Sequence, residues 1–174
     1  YIAQQRDWTH LTHSISLEQA QIAADCLDGQ NALNYLASIP SSLRSLMLGA
    51  EAQLLLENHE RAYELCYQAL ENAGNKRSAL ANLHTLLGRI DMATEAYKDA
   101  IRHFATADSY FNATENLFKQ ARCWSNLGVA LMRLNDVAQA RHYLTKAQRI
   151  QQALGDALGH QLTTHNLSLI ARHY

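Results

Sequence analysis

The chain has 174 residues, 48% of them hydrophobic and 18% charged, with a formal net charge of −1. A balance so near neutral provides no global field to draw it onto DNA or an anionic membrane surface, and no apolar run approaches the ~20 residues that span a bilayer. One proline and seven glycines set among many Leu and Ala residues suit helices and argue against sheets. The three cysteines, Cys26, Cys66 and Cys123, are odd in number and form no CxxC pair, so they read as reduced, buried thiols of a cytoplasmic protein.

Residues 1–42 are the least regular stretch, read as irregular N-terminal helices or a degenerate repeat. Tyr1–His13 is compatible with a helix. Ser16–Leu27 and Gln30–Ile39 read as a short hairpin, with Ala20 twelve positions before Ala32 and Pro40 as its stop. From Leu43 onward a repeat sets in. The unit 43–80 carries Ala50, Ala62, Cys66 and Ala69, with Gly74 as a helix stop. The unit 81–120 carries Gly88, Ala100, Phe104 and Ala107, and Asn116 suits the N-cap of the next helix.

The unit 121–160 is the clearest. Its first helix, Ala121–Leu134, holds Trp124, Leu127, Gly128, Leu131 and Met132. Asn135 suits the left-handed residue that ends a helix, and Asp136 suits the following N-cap. The second helix, Val137–Leu154, places Ala140, Leu144 and Ala147 on one stripe. Leu154, Gly155 and Asp156 repeat the stop-and-cap logic before a helix over Ala157–Arg172, and residues 161–174 form a partial fourth unit. Leu87-Gly88, Leu127-Gly128 and Leu167-Ser168 recur at a step of 40, whereas Ala50 precedes Gly88 by 38, so the period slips by two.

Small residues at fixed offsets on successive helices let backbones approach closely, so each unit is predicted as a helical hairpin. A competing register with Ala93, Tyr97 and Ala100 on the stripe is rejected, because it breaks the 40-residue step. The chain opens at Tyr1 without Met and closes inside an apparent first helix, so it is read as an excerpt from a longer protein.

The pattern Trp124-x-x-Leu127-Gly128-x-x-Leu131, followed by Ala140, Leu144 and Ala147, resembles the tetratricopeptide repeat. The resemblance extends over about residues 43–174 and is similar to the 40-residue variant of LGN/Pins and kinesin-light-chain-type proteins. It implies an all-α fold, an α-α superhelix whose antiparallel hairpins stack as a solenoid, with the first helices lining a concave groove. Departures are His84 where the family prefers Trp, Asp91 where it prefers an aromatic, and the lack of a closing proline.

The resemblance assigns the groove to Arg89, Arg122, Ser125, Asn126, Val129, Arg133, His165, Asn166 and Arg172, with Arg44, Asn82 and His173 at equivalent positions. Its arginines face a single acidic residue, Glu51. Arginine pairs carboxylates bidentately, so the expected partner is an acidic protein or peptide segment. Asn126 and Asn166 share one repeat position, where an amide can hold the backbone of an extended peptide or bond between repeats. Arg141 and Lys146 fall on the second-helix face, outside the groove. A carboxylate clamp for chaperone tails is not expected, because the positions that need Lys and Asn hold Met47 and Glu51 or Thr85 and Arg89.

Catalysis finds no footing. His10 and His13 could share a helix face, but no third ligand has metal-site spacing. Cys123 sits beside Arg122 yet adjoins Trp124 on a packed helix. No phosphate-binding loop, GxSxG turn or carboxylate pair is present, and Tyr97, Tyr110 and Phe111 read as packing. The expectation is therefore a non-enzymatic interaction scaffold with no cofactor, no metal, no nucleic acid, and the option of homo-oligomerisation. The alternatives are a sensory arm of a larger bacterial regulator and a self-association module.

Overall fold

In the computed structural model, the backbone of residues 2–173 and the side chains of residues 9–172 are described. Nine helices and no strand occupy the described residues: α1 (Ile2–Asp25), α2 (Gly29–Leu36), α3 (Leu43–Leu55), α4 (His59–Ala73), α5 (Arg77–Ala93), α6 (Tyr97–Ala113), α7 (Leu117–Arg133), α8 (Val137–Leu154) and α9 (Ala157–His173). The chain divides into two units, residues 1–74 and residues 75–174.

In the first unit, α1 packs on α2 and α3, and α3 packs on α4. The N-terminal stretch differs from expectation. Tyr1–His13 and Ser16–Leu27 are not separate elements: one helix runs unbroken over Ile2–Asp25, because nothing between them is a helix breaker. Its successor is shorter than the expected Gln30–Ile39, starting at Gly29 behind the Asp28 N-cap and ending at Leu36. Ala20 and Ala32 are nevertheless fully buried, as their spacing required.

The second unit is a row of hairpins in which α5 packs on α6, α6 on α7, α7 on α8 and α8 on α9, while the first helices also touch, α5 with α7 and α7 with α9. Its helices start at residues 77, 97, 117, 137 and 157, a step of 20. The residues that end them, Glu95, Glu115, Asn135 and Gly155, all have left-handed φ between 54° and 73°. In each turn the next amide reaches back five residues. Ala96 N–H donates to Asp91 O, Asn116 N–H to Phe111 O, Asp136 N–H to Leu131 O and Asp156 N–H to Gln151 O, at 2.8–3.2 Å. These bonds satisfy carbonyls that a helix end leaves open.

The 40-residue period is thus two equal halves, each one helix and a tight turn. The two-residue slip lies in α4, which has 15 residues where α6 has 17, and ends at Gly74 with φ 52°. Asn116 and Asp136 cap as expected, accepting from the amides of Lys119 and Gln139. The Asn116 cap starts α7 at Leu117, four residues before the expected Ala121.

The core of this unit is the repeat stripe itself: Ala100, Phe104, Ala107, Leu127, Ala140, Leu144 and Ala147 are all 2% exposed or less. A Cβ on Gly128 would lie 2.6 Å from Leu144 Cγ and 3.3 Å from Ala140 O, and one on Gly88 would lie 2.6 Å from the Phe104 ring. Only glycine allows either helix pair to close. Gly128→Ala and Gly88→Ala are each expected to destabilise. Overpacking costs ~1–3 kcal/mol against at most ~1 kcal/mol regained by removing a helical glycine. Gly49→Ala, whose Cβ meets two flexible side-chain ends, Leu65 Cδ1 at 3.3 Å and Leu36 Cδ1 at 3.9 Å, should be near neutral. Thermal melts followed by circular dichroism check this, and equal melting of all three variants would refute the register.

Candidate functional site

The exposed cations of the second unit are arranged by helix. α7, α8 and α9 contain no carboxylate at all, and the one on α5, Asp91, is 4% exposed. On the first-helix face, Arg122, Arg133, His165 and Arg172 are exposed, whereas Arg89, Asn126, Val129 and Asn166 are half-buried. Lys119 Nζ donates to Asn82 Oδ1 at 3.0 Å, which ties α7 to α5 along that face. Arg122 lies over the Phe118 ring, 5.7 Å from its centroid. The side-chain amides of Asn126 and Asn166 have no hydrogen-bond partner among the described residues.

Ser125 is differently placed. Its hydroxyl lies 2.7 Å from Thr163 Oγ1 and accepts from Gln151 Nε2 at 3.1 Å, with Thr163 and Gln151 fully buried. It belongs to a polar seam joining α7, α8 and α9. In the first unit, Arg44 is bridged to Glu18 at 2.8 Å. The His173 side chain lies outside the described residues.

Two clusters escaped the sequence reading. The first replaces the apolar trio Trp124, Leu131 and Tyr143 by residues 40 positions earlier: His84, Asp91 and His103. The Nδ1 atoms of His84 and His103 are 3.0 Å apart, so one ring donates and the other accepts. His103 Nε2 lies 3.8 Å from Asp91 Oδ2, and His84 stacks on Tyr110. Burial, and then the charge of His103, hold His84 below the usual histidine range.

The second cluster is a cleft of about 550 Å³ along α8, lined by Trp124, Arg141, His142, Thr145, Lys146 and Arg149. Trp124 is fixed from below by its Nε1–H bond to Asp108 Oδ1 (2.8 Å) and covered from above by Lys146 Nζ, 3.7 Å from the ring centroid. The signal was present in the sequence as four basic or titratable residues, Arg141, His142, Lys146 and Arg149, on one 18-residue helix without an acid. A family-based groove assignment set that face aside.

Among the described residues no group of three His, Cys, Asp or Glu side chains could hold a metal ion, and no helix is long and apolar enough to cross a membrane. Cys66 and Cys123 are buried as expected, but Cys26 is exposed in the turn after α1, a departure from the sequence reading. Burial, reinforced by the Asp108 carboxylate, pushes the Cys123 thiol up to about 12. Its Sγ–H donates to Phe104 O at 3.2 Å, so it packs and does not react.

Residues 121–154 match the model of the tetratricopeptide repeat. The fold is similar to the solved structure "MamA 41-end from Desulfovibrio magneticus RS-1", with a TM-score of 0.57 and 16% identity over 92% of this chain and 94% of that one. At that identity the likeness speaks to the fold. No curated protein matches the sequence.

Two outcomes follow from these geometries. A thiol reagent at mild alkaline pH should label Cys26 alone in the native protein, and Cys66 and Cys123 only after unfolding; mass spectrometry reads the sites, and native labelling of Cys123 would contradict its packing. His84 has a folded pKa below its unfolded value, so the unfolded state binds more protons as the pH falls. Its contribution to stability is complete above the ordinary value of 6.5 and is lost as the pH drops through the lowered one. Urea midpoints should therefore decline on acidification, and less steeply in His84→Phe.

Proposed function

We propose that this chain, whose residues 121–154 are a tetratricopeptide repeat, serves as a non-enzymatic protein-interaction scaffold and takes an extended acidic segment against the first-helix face of its second unit. The observation that supports the reading is the chemistry of that face. Arg122, Arg133 and Arg172 stand exposed on helices without a carboxylate, beside two amides, Asn126 and Asn166, that make no hydrogen bond among the described residues. Guanidinium forks suit carboxylate side chains. A free carboxamide offers one donor and one acceptor group to a peptide backbone, and the 40-residue spacing repeats that offer on the next hairpin.

The Ser125 hydroxyl, already committed to Thr163 and Gln151, has no part in this contact. Neither does Arg44, which is bridged to Glu18.

A fluorescent Glu/Asp-rich peptide measured by anisotropy tests the proposal. Reversal of Arg122, Arg133 and Arg172 to Glu should weaken binding at least about tenfold and leave the melting temperature nearly unchanged, since exposed charges contribute under ~1 kcal/mol each. Asn126→Ala with Asn166→Ala should lose about thirtyfold, given ~1 kcal/mol per lost hydrogen bond and one bond lost at each residue. Reversal of Lys98 and Arg102, exposed on the second-helix side, should leave binding intact. If that control weakens binding and the first-helix variants do not, the site assignment is wrong.

A further inference from the structure

The charges of the chain are segregated by unit. Residues 1–74 hold three Lys or Arg against nine Asp or Glu, whereas residues 75–174 hold twelve against seven. A net charge of −1 therefore conceals an acidic unit and a basic one. In each unit one exposed second helix carries three charges of the unit's sign: Glu60, Glu64 and Glu71 on α4, and Arg141, Lys146 and Arg149 on α8, the same number as Lys119, Arg122 and Arg133 on α7.

On α4 of the first unit, Glu60, Glu64, Tyr67 and Glu71 fall at i, i+4, i+7 and i+11, so they form one stripe along the helix, and all four are exposed. Tyr67 is 53% exposed, a large aromatic ring standing between two glutamates. Glu64 is partly offset by Arg61 at 2.5 Å, and Glu60 and Glu71 flank that pair. On α8 of the second unit, Arg141, Thr145 and Arg149 follow one another at i, i+4 and i+8, with Lys146 beside them over Trp124. The cleft they line has an apolar floor that includes Ala138 and Ile150.

The two surfaces are opposite in sign, and the stripe of α4, at about 16 Å, overlaps the whole of the stripe of α8, at about 12 Å. Each is a straight stripe of two to three helical turns, at 5.4 Å per turn. Each sets an aromatic or apolar element between its charges.

We propose that α8 is a docking surface for a second copy of this chain: the acidic stripe of α4 from one molecule lies in the basic cleft of α8 on another. Glu60 and Glu71 face the two arginines, and the Tyr67 ring enters the apolar floor beside Trp124. Such a contact joins two different patches, so it is heterologous unless a reciprocal pair closes it. A closed dimer and a longer assembly are both consistent with it. This surface is distinct from the first-helix face assigned above, and its fate does not depend on that assignment.

Sedimentation velocity of the chain over a concentration series tests the proposal. The weight-average mass should rise with concentration. The association constant should fall at least about tenfold from 0.1 M to 1 M salt, as the Debye length shortens from ~10 Å to ~3 Å. Reversal of Arg141, Lys146 and Arg149 to Glu should leave a monomer, and so should reversal of Glu60, Glu64 and Glu71 to Lys. The two monomeric variants mixed together should associate again, because the mixture holds two complementary pairs: the reversed α8 with the reversed α4, and the unchanged α4 with the unchanged α8. Unchanged melting of each variant separates lost docking from lost folding. Reversal of Arg122, Arg133 and Arg172 should leave self-association intact. A wild-type chain that stays monomeric at low salt, or variants that fail to restore association when mixed, would overturn the proposal.

Discussion

Everything in the second unit hangs on how closely two helices of a hairpin can approach. At Gly88 and Gly128 the absent Cβ is replaced by a ring or branch of the facing helix, Phe104 or Leu144, which is itself fully buried. This contact fixes the separation of α5 from α6 and of α7 from α8. The alanines at 100, 140, 107 and 147 extend the close contact along the stripe. Leu127, Leu131 and Phe111 then fill the space between hairpins. Because the same contact recurs, successive hairpins repeat the same geometry, and stacking follows without any long-range pairing.

The turns set the rhythm of the stack. A left-handed residue followed by an amide that reaches back five positions ends each helix at the same length, so helices begin every 20 residues. Only one of the four turn residues in the second unit is glycine. Glu95 and Glu115 accept a left-handed backbone that a β-carbon disfavours, at a modest local cost offset by the carbonyls satisfied there. The capping side chains are less uniform than the turns: Asn116 and Asp136 accept from the third residue of the helix, while Lys76 and Ala96 provide no side-chain bond at all.

Since stripe and turn carry the fold, the remaining helix positions can vary. One consequence is the exchange of an apolar trio around Trp124 for the polar cluster of His84, Asp91 and His103 at the same repeat positions. A second is the accumulation of cations on α7, α8 and α9 with no acid among them. Two faces of the second unit are thus basic while the buried stripe and the turns keep their pattern.

The sequence by itself determined the helical content, the hairpin register and several terminators: Gly74, Asn135, Asp136 and Gly155 were readable because cap chemistry and helical spacing are local properties. It also determined the burial of the repeat stripe, which follows from periodicity alone. The N-terminal helices were misjudged because no strong local signal marks where α1 continues, whereas the Asn116 cap already marked a start at Leu117, ahead of the repeat stripe that opens at Ala121. Tertiary packing decided which polar residues remain available. It committed Ser125 to a buried seam, left Asn126 and Asn166 unbonded among the described residues, exposed Cys26 and set Lys146 over Trp124. These outcomes depend on which side chains meet across helices about 20 to 40 residues apart, and that meeting is fixed by the close helix approach, not by any neighbour in the chain.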